Sequence, residues 1–230
     1  MDFVKALTYP FDDQDWLKKL GIAVLVSLAM LIPLIGTIPG AILLQGWSIE
    51  IIKRVKGNHP TPLAEWDDFG GIFSKGLSPF LGALVYQIPT IILACISVFV
   101  WTLPAAGGDS SDAAAGLAGM AGILSICCYC VIFLYALAAG IVFYGGLIRY
   151  VDKPEFGTFM EIGENLALVR NNIGDFGMAL VFILLGGVIA GVLSGTGIGA
   201  LVASAFSTYF TSHILGQLAQ KLSAGTAPQV

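Results

Sequence analysis

The sequence predicts an all-α polytopic membrane protein with about six transmembrane helices plus interfacial amphipathic helices, in one integral membrane domain over 1–230. Three observations lead there. Of 230 residues, 57% are hydrophobic and only 11% charged, with a mean hydropathy of +0.86; a soluble domain carries about 25% charged residues. All eleven Lys and Arg residues lie in or beside three polar stretches and a tail: Lys5, Lys18 and Lys19; Lys53, Arg54, Lys56 and Lys75; Arg149, Lys153 and Arg170; and Lys221. The segments between them are long and apolar. A cation at the bilayer centre costs about 2.5–3.5 kcal/mol, and cytoplasmic loops collect Lys and Arg. Six spans with both ends in the cytoplasm put every cation on one side. The remaining polar loop, 104–112, holds Asp109 and Asp112 without a cation and is expected outside.

Taken in order, the N-terminal stretch 1–20 mixes Asp2, Asp12, Asp13 and Asp15 with three lysines. It lacks a cationic region running into an apolar core, so no cleaved signal peptide is expected. A first hairpin occupies 16–54. Its first span covers 16–35, with Trp16 as an interface anchor and Lys18 and Lys19 snorkelling. Its second covers 40–54 and carries Glu50, the candidate polar intramembrane residue. About 15 helical residues rise only about 22 Å, so the pair reads as two short spans or a re-entrant hairpin. Segment 63–77 follows, with Trp66, Phe69 and Phe73 at helical spacing as interfacial residues, weakened by Gly70 and Gly71.

Spans three and four cover 79–103 and 119–147. Pro89 is a predicted kink in the former and Trp101 its outer anchor. Segment 156–173 is the best amphipathic stretch. Phe159, Ile162, Leu166, Val169 and Ile173 make one stripe, with Glu161, Glu164, Asn165, Arg170 and Asn171 elsewhere, which predicts a helix along the inner membrane surface or against the bundle. The last hairpin, 176–218, carries Gly187, Gly191, Gly195 and Gly199 at every fourth position. The first three share a helical face and predict close helix packing, within the chain or with a partner. A weak echo relates Gly36-Thr37-x-x-Gly40-Ala41 to Gly195-Thr196-x-x-Gly199-Ala200, each preceded by an acid–aromatic pair, Asp15-Trp16 and Asp175-Phe176. A repeat of this kind would be parallel.

Two stretches carry a family resemblance: F-x-x-A-x-x-Y-P-F-x-D-x-D-W-x-x-K over 3–19, and P-L-A-E-W-D-D-F-G-G-I-F-x-K-G-L over 62–77. Together with the order of elements they resemble the prokaryotic membrane proteins grouped as domain-of-unknown-function family 4013. The similarity covers most of the chain, and E-W-D-D-F is its most specific part. The resemblance implies a multi-pass protein of a prokaryotic plasma membrane. It supplies no activity and no catalytic residues.

The residues offer no enzyme constellation either. His59 and His213 are isolated in sequence, and no H-E-x-x-H, G-x-S-x-G or P-loop is present. Cys95, Cys127, Cys128 and Cys130 lack the spacing of a zinc site and read as small apolar fillers facing a helix neighbour. The acidic clusters at Asp12, Asp13, Asp15 and at Asp67, Asp68 read as helix caps. No metal, cofactor or catalysis is expected, and a net charge of −4 does not argue for nucleic acid. Intramembrane carboxylates mark coupled transport, and Glu50 alone qualifies. The expected function is therefore that of a structural or accessory subunit, or a membrane organiser, associating with lipid and with other subunits or its own copies. The alternative is a small transporter or lipid-handling protein for an apolar or zwitterionic solute.

Overall fold

The computed structural model describes residues 1–61, 63–106, 111–197 and 199–226, without the side chains at 100, 101, 103–106, 111–115, 117, 118, 225 and 226. Among them the fold is all-α. Helix α1 (Phe3–Thr8) and a 3-10 turn (Tyr9–Asp12) lead into α2 (Trp16–Ala29) and α3 (Thr37–Lys56). There follow α4 (Phe69–Ala106), α5 (Ser111–Asp152), α6 (Gly157–Met160), α7 (Ile162–Asn171), α8 (Ile173–Ser194) and α9 (Gly199–Thr226). Among the described residues three helices are long and apolar enough to cross a membrane: Phe69–Phe99 within α4, Gly119–Asp152 within α5, and α8. Residues 1–82 with 144–230 form one compact unit, and 83–143 form another.

In the larger unit α9 packs along both α3 and α8, and α2 lies on α3 and α9. Small residues set these approaches. A Cβ on Gly216 would fall 2.5 Å from Val55 Cβ, and one on Gly186 would enter the Phe210 ring. In the α3–α9 seam the buried Ser212 hydroxyl donates to the Thr208 carbonyl at 2.5 Å and is hydrogen-bonded to the Ser48 hydroxyl at 2.7 Å. The base of α4 crosses α3 backbone to backbone. A Cβ on Gly46 would overlap the Ile72 carbonyl, and one on Gly76 the Ile42 carbonyl. Close approach of this kind is what glycine permits in membrane helices.

That crossing explains a departure from expectation. The stretch 63–77 is not a separate interfacial helix, because residues 69–77 form the first turns of α4, which continues unbroken through Pro89. Asp68 starts it: its Oδ1 accepts the Gly71 N–H at 2.8 Å, an orphan donor of the first turn. Gly70 and Gly71 are thus tolerated at a capped end.

The amphipathic segment is helical but divided at Glu161, into α6 and α7. Its apolar residues do not share one stripe. Phe159 is fully buried, between Gly82 and Gly146, while Ile162, Leu166 and Ile173 are exposed. The inward position goes to a polar residue, Asn165, at 0% exposure. It is satisfied there: its Oδ1 accepts from Arg149 at 2.7 Å, and its Nδ2 donates to the Thr158 carbonyl at 2.9 Å. A buried amide with its partners in place competes well with an apolar residue.

The smaller unit contains the adjoining stretches of α4 and α5. Its Tyr135 hydroxyl donates to the Tyr86 carbonyl at 2.9 Å, and Tyr86 meets Phe143 edge-on at 5.7 Å. Cys95, Cys127 and Cys130 are exposed free thiols and Cys128 a half-buried one. The three exposed thiols do not fill gaps against a helix neighbour among the described residues.

Candidate functional site

The charged residues scattered along the sequence converge in space. Lys19, at 2% exposure, sits between Asp13 and Glu65, each at 2.5 Å. Its backbone carbonyl accepts the Trp66 indole N–H at 3.0 Å, and the Trp47 indole donates to the Ala64 carbonyl at 3.0 Å. Trp47 and Trp66 stack at 5.2 Å. Arg54 donates to the Leu63 carbonyl at 3.3 Å. The connector between α3 and α4 is thereby sewn to the start of α2 and the end of α3. The Leu63, Ala64 and Lys19 carbonyls and both indoles are given partners.

The same layer joins the other helix ends. Lys75, near the start of α4, pairs with Glu50 at 3.0 Å, and Arg54 approaches that carboxylate at 3.6 Å. Tyr150, near the end of α5, donates to the Lys75 carbonyl at 3.2 Å. Lys56 at the end of α3 pairs with Asp152 at the end of α5. Arg149 pairs with Glu161 at 2.5 Å and with Glu164, which fixes α6 and α7 beneath α5. Lys221, late in α9, pairs with Asp175, early in α8, at 2.5 Å. Every ion pair recorded among the described residues belongs to this layer. Glu50 is consequently no isolated intramembrane carboxylate but the acid of a two-cation cluster.

A cavity of about 620 Å³ opens in the layer, within the usual range for small-molecule sites. The N-terminal residues Asp2, Lys5, Tyr9 and Asp12 form one wall, Asn58 and His59 another, and His213, Gln217 and Gln220 of α9 a third. Tyr9 is buried, stacks on His213 at 4.2 Å and donates to the Tyr209 carbonyl at 3.3 Å. Burial, with Tyr209 beside it, pushes the Tyr9 phenol well above its ordinary range, so it acts as a neutral donor. The two histidines isolated in sequence therefore line one space. Among the described residues no three His, Cys, Asp or Glu side chains group to hold a metal ion.

The family described as Protein of unknown function (DUF4013) matches residues 23–211. The chain belongs to the DUF4013 family. No curated protein and no solved structure matches it. The DUF4013 match takes in the E-W-D-D-F connector and the turn carrying Asn58 and His59. It stops short of α1 and of His213, Gln217 and Gln220, so the cavity is lined from inside and outside the matched residues.

Placed on this DUF4013 chain, the expected site residues divide. Phe69, Phe73, Ile162 and Leu166 are exposed, and Trp16 is half-buried against Phe11. Trp66 and Phe159 are buried at 2% and 0% and serve the interior, not an interface with lipid. The Trp101 side chain lies outside the described residues. Gly187 and Gly191 are exposed, and a Cβ on either meets nothing within 4 Å; on Gly195 the nearest contact is the Val192 carbonyl of its own turn. Close packing of this glycine face is not observed among the described residues. The packed side of α8 carries Phe176, Ala179, Gly186 and Ala190 instead, one residue out of phase with the glycine repeat. Gly199 serves the turn, where a Cβ would overlap the Leu193 carbonyl. In the echoed turn it is the first glycine, Gly36, whose Cβ would overlap a carbonyl, that of Ala29, so the two turns are built differently.

Sequence reasoning passed over Asp13, Lys19 and Tyr9 as site residues. Their signal lay in the resemblance: of the motif over 3–19, Ala6, Tyr9, Asp13 and Lys19 are all buried. It joins the second motif through the Lys19–Glu65 pair and the Trp66–Lys19 hydrogen bond.

Proposed function

We propose that this protein crosses a prokaryotic plasma membrane six times, through α2, α3, α4, α5, α8 and α9, with both termini in the cytoplasm. We infer that it acts without catalysis, by association with lipid and with other membrane subunits or its own copies, as an accessory subunit or membrane organiser. The observation that carries this reading is the segregation of charge. The starts of α2, α4 and α8 and the ends of α3, α5 and α9 are tied into one polar layer, an arrangement that alternating crossings would require. Beyond it, Leu25, Leu28, Leu31, Ile32 and Ile35 are exposed on and after α2, as are Leu184, Val188 and Val192 on α8. Such apolar surface suits lipid or another helix. The six crossings are tested with single cysteines at Ser110 and Asp67, after replacement of the four native cysteines by alanine. An impermeant thiol reagent should label the first in intact cells and spare the second; the reverse pattern overturns the orientation.

Association is tested by native mass in mild detergent. Wild type should run with partner chains or as an oligomer, and Gly191→Leu should disrupt that state without lowering the melting temperature. The cavity favours a second reading, a small carrier or lipid-handling protein for a zwitterionic solute. Carriers hold their cargo near the bilayer midplane, whereas this cavity lies among the helix ends. Proton- or sodium-driven uptake into liposomes, abolished by Glu50→Gln, would replace the first reading by the second.

A further inference from the structure

We propose that the cavity binds a small zwitterion, a molecule carrying an ammonium and an acid group a few bonds apart. Its floor is His213, at 2% exposure. The Gln217 amide fixes the state of that ring. The Asp2 backbone N–H donates to Gln217 Oε1 at 2.6 Å, which identifies the oxygen. The amide nitrogen is then the atom that donates to the Asp2 carbonyl at 3.0 Å and faces His213 Nδ1 at 2.9 Å. Nδ1 must accept, so the ring proton sits on Nε2. Among the described residues Nε2 has no partner. It is a donor on a residue that lines the cavity, free to bond an acceptor on a bound molecule.

The mouth supplies both signs of charge. The Lys5 ammonium and the Asp12 carboxylate, both on residues that line the cavity, have no ion-pair or hydrogen-bond partner among the described residues. Asp2 is committed in part, since its Oδ1 accepts the Lys5 backbone N–H at 2.9 Å. Asn58 and Gln220 are bonded to each other at 2.7 Å and close that side. An anion alone would leave Asp12 facing it unpaired, and a cation alone would do the same to Lys5. A zwitterion satisfies Lys5 and the His213 Nε2–H with its acid group and Asp12 with its ammonium. Free amino acids and the ethanolamine phosphate headgroup of a lipid share this chemistry. Binding here is independent of whether the protein works by association.

The experiment uses the full chain in nanodiscs free of ethanolamine lipids, with L-alanine, phosphoethanolamine, acetate and ethylamine as probes. Saturation-transfer NMR and the melting temperature are the readouts. At least one zwitterion should bind saturably and raise the melting temperature by about 3 °C at tenfold excess over its Kd. Acetate and ethylamine should not. Binding of L-alanine points to a free amino acid, and binding of phosphoethanolamine alone to a headgroup. Lys5→Gln and Asp12→Asn, both at exposed positions that leave the buried contacts intact, should each weaken binding about tenfold. Gln217→Glu, which alters the partner of His213 Nδ1, should weaken it without abolishing the ion-pair contribution. Binding of acetate or ethylamine as tight as that of the zwitterions overturns the proposal. So does no binding by either zwitterion, or undiminished binding in both charge variants.

Discussion

At the scale of the residue, Lys19 shows why a cation in an apolar helix need not face water. It is held by Asp13 and Glu65 and donates to the Leu63 carbonyl. Removing one partner of a buried pair leaves the other charge stranded, at a cost of about 3–5 kcal/mol. Lys19→Met should therefore lower the melting temperature sharply. Adding Asp13→Asn, which keeps an acceptor for the Asp15 N–H, should recover most of the loss; recovery of nothing would mean that Lys19 matters through Glu65 alone. From the sequence Lys19 reads as a snorkelling lysine, because nothing local indicates that a connector 44 residues on will supply its partner carbonyl. The same limit applies to His59 and His213. Their shared cavity is a tertiary fact, invisible to spacing.

At the scale of the element, the helices were legible and their faces were not. Hydropathy predicted the apolar stretches now seen as α4, α5 and α8, since composition over twenty residues is a strong signal. Which glycines make contact was not legible, because the four-residue repeat at 187, 191 and 195 and the true contact at Gly186 differ by one position, about 100° of helix. Two substitutions separate the cases. Gly76→Leu drives a side chain into the Ile42 carbonyl and should cost about 3 kcal/mol or more, seen as a lowered melting temperature. Gly191→Leu should leave melting unchanged, because open space surrounds it. Equal losses in the two variants would contradict the contacts described. Arg149 makes a further case. Asn165 takes the inward position on α7 because Arg149 and Thr158 bond it, so Arg149→Gln should free the segment. Hydrogen exchange should rise over 157–171 and stay unchanged in α3, a local opening of about 1–2 kcal/mol.

At the scale of the whole molecule, the paired cations of the larger unit meet their acids in one polar layer. Part of that layer joins the two ends of the chain. Asp2 bonds to Gln217, Phe3 meets the Phe182 and Phe210 rings at 5.4 Å each, and Tyr9 stacks on His213. A ribosome adding about 5–20 residues per second needs on the order of 10–40 s to travel from one member of the first pair to the other. Through that interval the opening helix has been made and its docking site has not. Release of α1 from this wait is a late event of biogenesis, so arrested nascent chains ending before residue 209 should keep α1 open to protease, and chains extended past residue 220 into a tunnel-spanning linker should protect it. Protection in the shorter chains would show that some other part of the molecule, or a chaperone, shelters the N-terminal segment while translation runs on.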